Sequence, residues 1–87
     1  MSQDRIIQRL ERITADIHDQ PHVAVNYLLR AEVYAQYGYW EQALVDSERA
    51  YELALNEFAG RRWGVVAQAI QDRAHRLMTK AKRYVKS

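Results

Sequence analysis

The sequence predicts an all-α fold, and two observations support this prediction. Apolar residues recur every three or four positions, as in Ile6, Leu10, Ile13 and Ile17, which places them on one face of a helix. The 87 residues include three glycines and one proline, which leaves little room for sheet turns or long loops. The chain has no cysteine, so neither a disulfide framework nor a cysteine-based zinc site forms. This length suits one domain, residues 1–87, with a modest core.

One proline and two glycines divide the chain into four predicted helices. Pro21 ends the first helix, because proline restricts the residue that precedes it. Gly38 lies in the second junction, where glycine can adopt the positive φ that often ends a helix. Gly60 is a predicted cap of the third helix. The predicted helices span about residues 3–18, 22–37, 39–58 and 61–85.

The stretch from residue 24 to residue 55 predicts a helical hairpin that is packed along its length. Tyr27 and Tyr34 share one face of the second predicted helix. Ala43 and Ala50 lie seven residues apart on the third, and alanine lets a neighbouring backbone approach closely. We therefore expect the two tyrosines to pack against the side that carries these alanines.

A run of aromatic and small residues in this hairpin carries a family resemblance. It reads Tyr27-x-x-Arg30-Ala31-x-x-Tyr34, followed by Gly38, Trp40, Ala43 and Ala50. This run resembles a tetratricopeptide (TPR) repeat, whose pattern is W-x2-L-G-x2-Y…A-x3-F. Arg30 and Ser47 depart from that pattern, which predicts looser or partly rearranged packing. The resemblance implies antiparallel TPR-like hairpins, with one full repeat flanked by half repeats.

A second helical family is similar over a different part of the chain. The similar positions are Trp40-x-x-Ala43-Leu44 and the basic tail Ile70-x-x-Arg73-x-x-x-Leu77-x-x-Lys80-Ala81-Lys82. They resemble microtubule-interacting-and-trafficking (MIT) domains, which are three-helix modules with a basic last helix. The first predicted helix has no place in that arrangement, so the TPR-like interpretation ranks first.

The TPR resemblance also implies a concave groove, lined by the second and fourth predicted helices. Its lining residues would be Leu28, Glu32, Ala35, Gln36, Gln68 and Gln71. This lining is mixed and somewhat acidic, and it lacks the lysine and asparagine residues with which some TPR domains clamp a terminal carboxylate. An amphipathic or basic partner segment would therefore suit it. The alternative is that these residues are ordinary surface.

Charge is distributed unevenly along the chain. Residues 1–57 contain 5 of the 13 basic and 10 of the 11 acidic side chains, whereas residues 58–87 contain 8 basic side chains and one acidic. The net charges are therefore −5 and +7. The basic face of the fourth helix would comprise Arg61, Arg62, Arg76, Lys80, Lys82, Arg83 and Lys86. It could attract phosphates, anionic lipids, an acidic partner or the acidic third helix of another copy; solvated charge is the alternative.

No arrangement in the sequence predicts catalysis or a cofactor. His18 and His22 have a metal-like spacing, but Pro21 breaks the helix between them. His75, with Asp72 three residues earlier, is expected to be a surface histidine. The carboxylates of the third helix are expected to lie mostly on its solvent side: Glu41, Asp46, Glu48, Glu52 and Glu57.

The combined pattern predicts a cytoplasmic protein-interaction module, a TPR-like adaptor or scaffold subunit that binds a partner peptide or helix in its groove. The alternative is nucleic-acid or anionic-surface binding through the basic fourth helix. No transmembrane segment, metal or cofactor is expected. A homodimer that extends the helical stack and a monomeric four-helix domain both remain open, because repeat arrays usually need about three units or specialised caps.

Overall fold

The structure, a computed structural model, describes residues 2–57 and 64–85. The all-α prediction is confirmed: the described residues form four helices and no strand. The helices are α1 (Ser2–Asp19), α2 (Ala24–Gln36), α3 (Trp40–Glu57) and α4 (Gly64–Val85). The predicted cap at Gly60 and the predicted helical residues 58 and 61–63 lie outside the described residues.

The α1–α2 connection follows from Pro21. A turn over residues 20–23 separates the helices, so α2 begins two residues later than expected, with Val23 at its N-cap. The Tyr27 hydroxyl donates a hydrogen bond to the carbonyl of Pro21 at 3.0 Å. This bond fixes the turn against the first turn of α2.

The α2–α3 connection is set by Gly38, as expected. Its φ of +82° is favourable for glycine and costly for other residues. The Gly38 N–H donates to the carbonyl of Ala35 at 3.1 Å, and the Tyr39 N–H donates to the carbonyl of Tyr34 at 2.9 Å. These two bonds form a Schellman motif, which satisfies carbonyls at the end of α2 and reverses the chain within two residues.

The larger core cluster lies between α2, α3 and α4. Its buried residues are Ala24, Leu28, Ala50, Leu53, Ala54, Ile70 and Ala74. The four alanines of this cluster are fully buried, and the hairpin pattern predicts this for Ala50. They let α4 contact both α2 and α3.

A smaller cluster joins α1 to α2. Ile13 and Ile17 are buried against Val33, and among the described helices α2 is the one whose backbone α1 approaches closely. Tyr27 is half-buried and packs against both clusters, which confirms its expected contact with the alanine side. Tyr34 meets Tyr39 edge to face at the turn, with 6.2 Å between ring centroids, and its expected contact with the alanine side stays a prediction. The division into one full and two half repeats stays a prediction.

Candidate functional site

A partly buried ion pair and a hydrogen bond link the first three helices. Arg30 of α2 donates two hydrogen bonds to the carboxylate of Asp46 on α3, from Nε at 2.7 Å and from Nη2 at 2.9 Å. Its Nη1 donates to Thr14 Oγ1 of α1 at 3.2 Å. The Asp46 side chain is 6% exposed and that of Arg30 is 19% exposed. The expectation that Asp46 faces solvent is therefore wrong, because this carboxylate is the partner of a cation from the neighbouring helix.

The surroundings of Arg30 keep it charged. The hydrogen bond to Asp46 raises the pKa of the Arg30 guanidinium above its ordinary value, while burial acts in the opposite direction. The rings of Tyr27 and Tyr34 lie 6.0 and 5.9 Å from the guanidinium carbon. Arg30 thus joins α2 to α3 and α1 through side-chain hydrogen bonds, which gives this residue a structural role.

An exposed row of cations runs along α4, and we call Arg76, Lys80 and Arg83 the α4 basic row. Their spacing of four and three residues keeps them on one side of the helix. Within the described residues, none of them forms an ion pair with a carboxylate. Arg73 would extend the row, but its guanidinium binds Glu32 of α2 through Nη2 at 2.6 Å and Nε at 3.1 Å.

Two shallow hollows flank Lys80. One, of about 260 Å³, lies between α2 and α4, where Leu77 supplies an apolar, half-buried wall. The other, of about 370 Å³, continues towards Arg83 and Tyr84 at the end of α4. The row therefore combines positive charge with local concavity and some apolar surface.

Aromatic stacking supports the C-terminal end of the row. The rings of Trp40 and Tyr84 stack at 4.3 Å between centroids and 6° between planes, which joins the start of α3 to the end of α4. The Lys80 ammonium lies 5.7 Å from the Trp40 ring centroid, within cation–π range. The stack occupies one face of each ring.

The predicted groove residues are only partly brought together. Leu28 is fully buried in the α2–α3–α4 core, so its assignment to an open groove is wrong. Glu32 does face α4, where it meets Arg73. Arg73 marks the side of α4 that faces Glu32. Gln68 and Gln71 lie about 140° and about 160° around the helix from Arg73, so both point away from Glu32. Gln68 instead donates to Asp72 on its own helix at 2.9 Å.

The other residues of the predicted groove and of the predicted basic face lie at separate places on the chain. Ala35 is half-buried and Gln36 is exposed. Lys82 is exposed but lies about 160° around α4 from Lys80, so it is not part of the same row. Three further members of the predicted basic face lie outside the described residues: Arg61, Arg62 and Lys86.

Helix α3 presents a negatively charged strip to solvent, and we call Glu41, Glu48 and Glu52 the α3 acidic stripe. Glu41 and Glu52 are exposed, and Glu48 is half-buried. Val45 and Leu55 lie on the same side and are 64% and 51% exposed. The expected solvent position is confirmed for Glu41 and Glu52, whereas the side chain of Glu57 lies outside the described residues.

An apolar hollow of about 530 Å³ was missed by the sequence patterns. It lies between α1 and the α2–α3 turn, and its lining comprises Ile6, Ile7, Leu10, Tyr34, Tyr37, Tyr39 and Gln42. Two signals could have found it: Ile7 falls outside the buried stripe of α1, and three tyrosines cluster around Gly38. Tyr39 and Ile7 are 52% and 53% exposed.

Comparison with known proteins gives no family assignment. None of the family models, curated proteins or solved structures compared with the chain matches it. In the part of the chain that the structure describes, no three histidine or carboxylate side chains are grouped closely enough to hold a metal ion. None of the helices within residues 2–57 and 64–85 has the length and apolar character needed to cross a membrane.

Proposed function

We propose that this chain is a protein-interaction module that binds an acidic, amphipathic segment of a partner along the α4 basic row. The observation that carries the proposal is the concentration of three exposed cations within two turns of one helix. Arg76 and Lys80 are four residues apart, and Lys80 and Arg83 are three apart. Like charges at these spacings repel one another, and an acidic partner would relieve that repulsion.

The hollows beside Lys80 define the shape of the partner segment. A helix with carboxylates at spacings of three and four residues would match the row. One apolar side chain on the same face would fit against Leu77 in the hollow between α2 and α4. Charge would provide orientation and fast association, and the apolar contact would add affinity.

This partner differs in charge from the one that the groove residues suggested. Glu32, the acidic residue of the predicted groove, is neutralised by Arg73. The side of α4 next to it carries the α4 basic row. A basic segment would be repelled there, so the proposal names an acidic one.

A matched pair of charge reversals tests the proposal. The probe is a fluorescent helical peptide with glutamates at spacings of three and four and one leucine on the same face, measured by anisotropy. Lys80→Glu should weaken binding about tenfold or more, because a charge-assisted contact is worth about 1.5–3 kcal/mol. Lys82→Glu changes the net charge identically on another side of the helix, and it should change affinity by less than about twofold. Equal losses in both variants would overturn the proposal.

Nucleic acid is the second candidate, because the same cations could bind phosphates. A single-stranded oligothymidylate is the probe, and its affinity should fall steeply between about 50 and about 200 mM salt if phosphates are bound. The stack between Trp40 and Tyr84 already covers one face of each ring, which leaves at most the outer faces for stacking on bases. We therefore expect the acidic peptide to bind more tightly at the higher salt concentration. Tighter binding of the oligonucleotide would favour the second candidate.

The TPR-like identity is part of the same proposal. It is supported by the Gly38 turn and by the burial of Ala43 and Ala50 at the matching positions. In such a module the exposed sides of α2 and α4 would form the binding surface, which includes the α4 basic row.

A further inference from the structure

We infer that one partner of the α4 basic row is the α3 acidic stripe of a second copy of this chain. The inference rests on the proposed function, since it names an acidic amphipathic helix for the same row. Both surfaces are present on one molecule: the row borders the hollow between α2 and α4, whereas Glu41 of the stripe borders a separate hollow between α2 and α3. The described glutamates of the stripe have one ion pair, in which Glu52 lies 3.8 Å from Arg49 of the same helix.

The two surfaces match in spacing. Glu48 and Glu52 are separated by about 6 Å along α3, and Lys80 and Arg83 by about 4.5 Å along α4. With the helices antiparallel, Glu52 of one copy would meet Lys80 of the other while Glu48 meets Arg83. Each carboxylate then approaches a cation that has no ion-pair partner among the described residues of its own chain.

The same alignment brings two apolar residues together. Leu55 is three residues beyond Glu52, and Leu77 is three residues before Lys80. An antiparallel pairing therefore places Leu55, which is 51% exposed, over the hollow that Leu77 lines. Burial of this leucine favours association and distinguishes this alignment from a purely electrostatic contact.

The pairing joins unlike surfaces, so each bound copy still offers one free row and one free stripe. A contact of this kind builds chains of molecules unless its rotation closes a ring. The apparent size of the protein should therefore rise progressively with concentration and fall with added salt, because exposed ion pairs are screened.

Two neutralised variants test the inference by sedimentation velocity. Lys80→Gln with Arg83→Gln neutralises the two paired cations of the row (the row-free variant), and Glu48→Gln with Glu52→Gln neutralises the two paired glutamates of the stripe (the stripe-free variant). Each variant alone should sediment as a monomer, whereas an equimolar mixture should form a species of twice the monomer mass and nothing larger. In that mixture the stripe of the row-free variant can bind the row of the stripe-free variant, and each bound molecule then has no second surface with which to bind another copy. Arg9→Gln with Arg12→Gln is the matched charge control on α1 and should associate as the wild type does.

The outcomes separate this inference from the proposed function. A wild-type protein that stays monomeric at low salt, or a mixture that fails to dimerise, overturns the inference. If the stripe-free variant still binds the glutamate peptide in that case, the proposed function stands. If the row-free variant binds the peptide as tightly as the wild type, both fail. Circular dichroism of each variant establishes that its helices are intact.

Discussion

The Arg30–Asp46 pair should dominate the response of this domain to mutation. Its two hydrogen bonds of 2.7 and 2.9 Å link α2 to α3 at a partly buried position. We consider Arg30→Met, Asp46→Leu and the double variant. The single changes each leave one charge without its partner, whereas the double change replaces the pair with apolar side chains.

The expected costs follow from burial. Arg30→Met leaves a carboxylate that is 6% exposed without its cation, and this should cost about 3–5 kcal/mol. Asp46→Leu leaves Arg30, which is 19% exposed and can turn towards water, so we expect about 1–3 kcal/mol. The double variant should lie within about 1 kcal/mol of the wild type, because well-packed apolar replacements of a buried pair are often neutral.

Urea unfolding monitored by circular dichroism measures these costs. A domain of this size has a total stability of about 4–13 kcal/mol, so Arg30→Met could be partly unfolded in buffer. The comparison between Asp46→Leu and the double variant remains decisive in that event. If the double variant loses the sum of both single costs, the two side chains act independently and the reasoning is refuted.

Three further changes test the turn, the core and the surface, each by thermal unfolding. Gly38→Ala should cost about 1–2 kcal/mol through the positive φ of +82° alone, since no atom lies within 4 Å of an added methyl group; an unchanged melting temperature would contradict this. Ala50→Leu should cost about 1–3 kcal/mol by overpacking, whereas Ala15→Leu, at an exposed position of α1, should stay within about 0.5 kcal/mol. Glu32→Gln should cost less than about 1 kcal/mol, because its pair with Arg73 is exposed; a larger loss would show that the pair anchors α4.

Local patterns predicted the helices well because their causes are local. The buried positions of Ile13 and Ile17 follow from spacing along one helix, and those of Ala43 and Ala50 follow from side-chain size. The reversal at Gly38 follows from the backbone freedom of one residue. None of these features depends on the angle at which two helices cross.

The errors concern contacts between helices. Asp46 is buried because Arg30 of α2, sixteen residues earlier, binds its carboxylate. The spacing of charges along α3 does not predict this contact with another helix. The resemblance places Leu28 in a groove, but in the structure Leu28 is buried in a cluster that includes Ile70 and Ala74 of α4. The pairing of Arg73 with Glu32 likewise depends on how α4 crosses α2, which periodicity does not determine.

The central claim, that the α4 basic row binds acidic polypeptide, is tested most directly by mapping amide chemical shifts during titration with the glutamate peptide. We expect the largest changes to cluster from Arg76 to Arg83, and we expect Lys80→Glu to abolish them. The claim would be contradicted if the changes centred on the apolar hollow around Tyr37 and Tyr39, or if they survived Lys80→Glu unaltered.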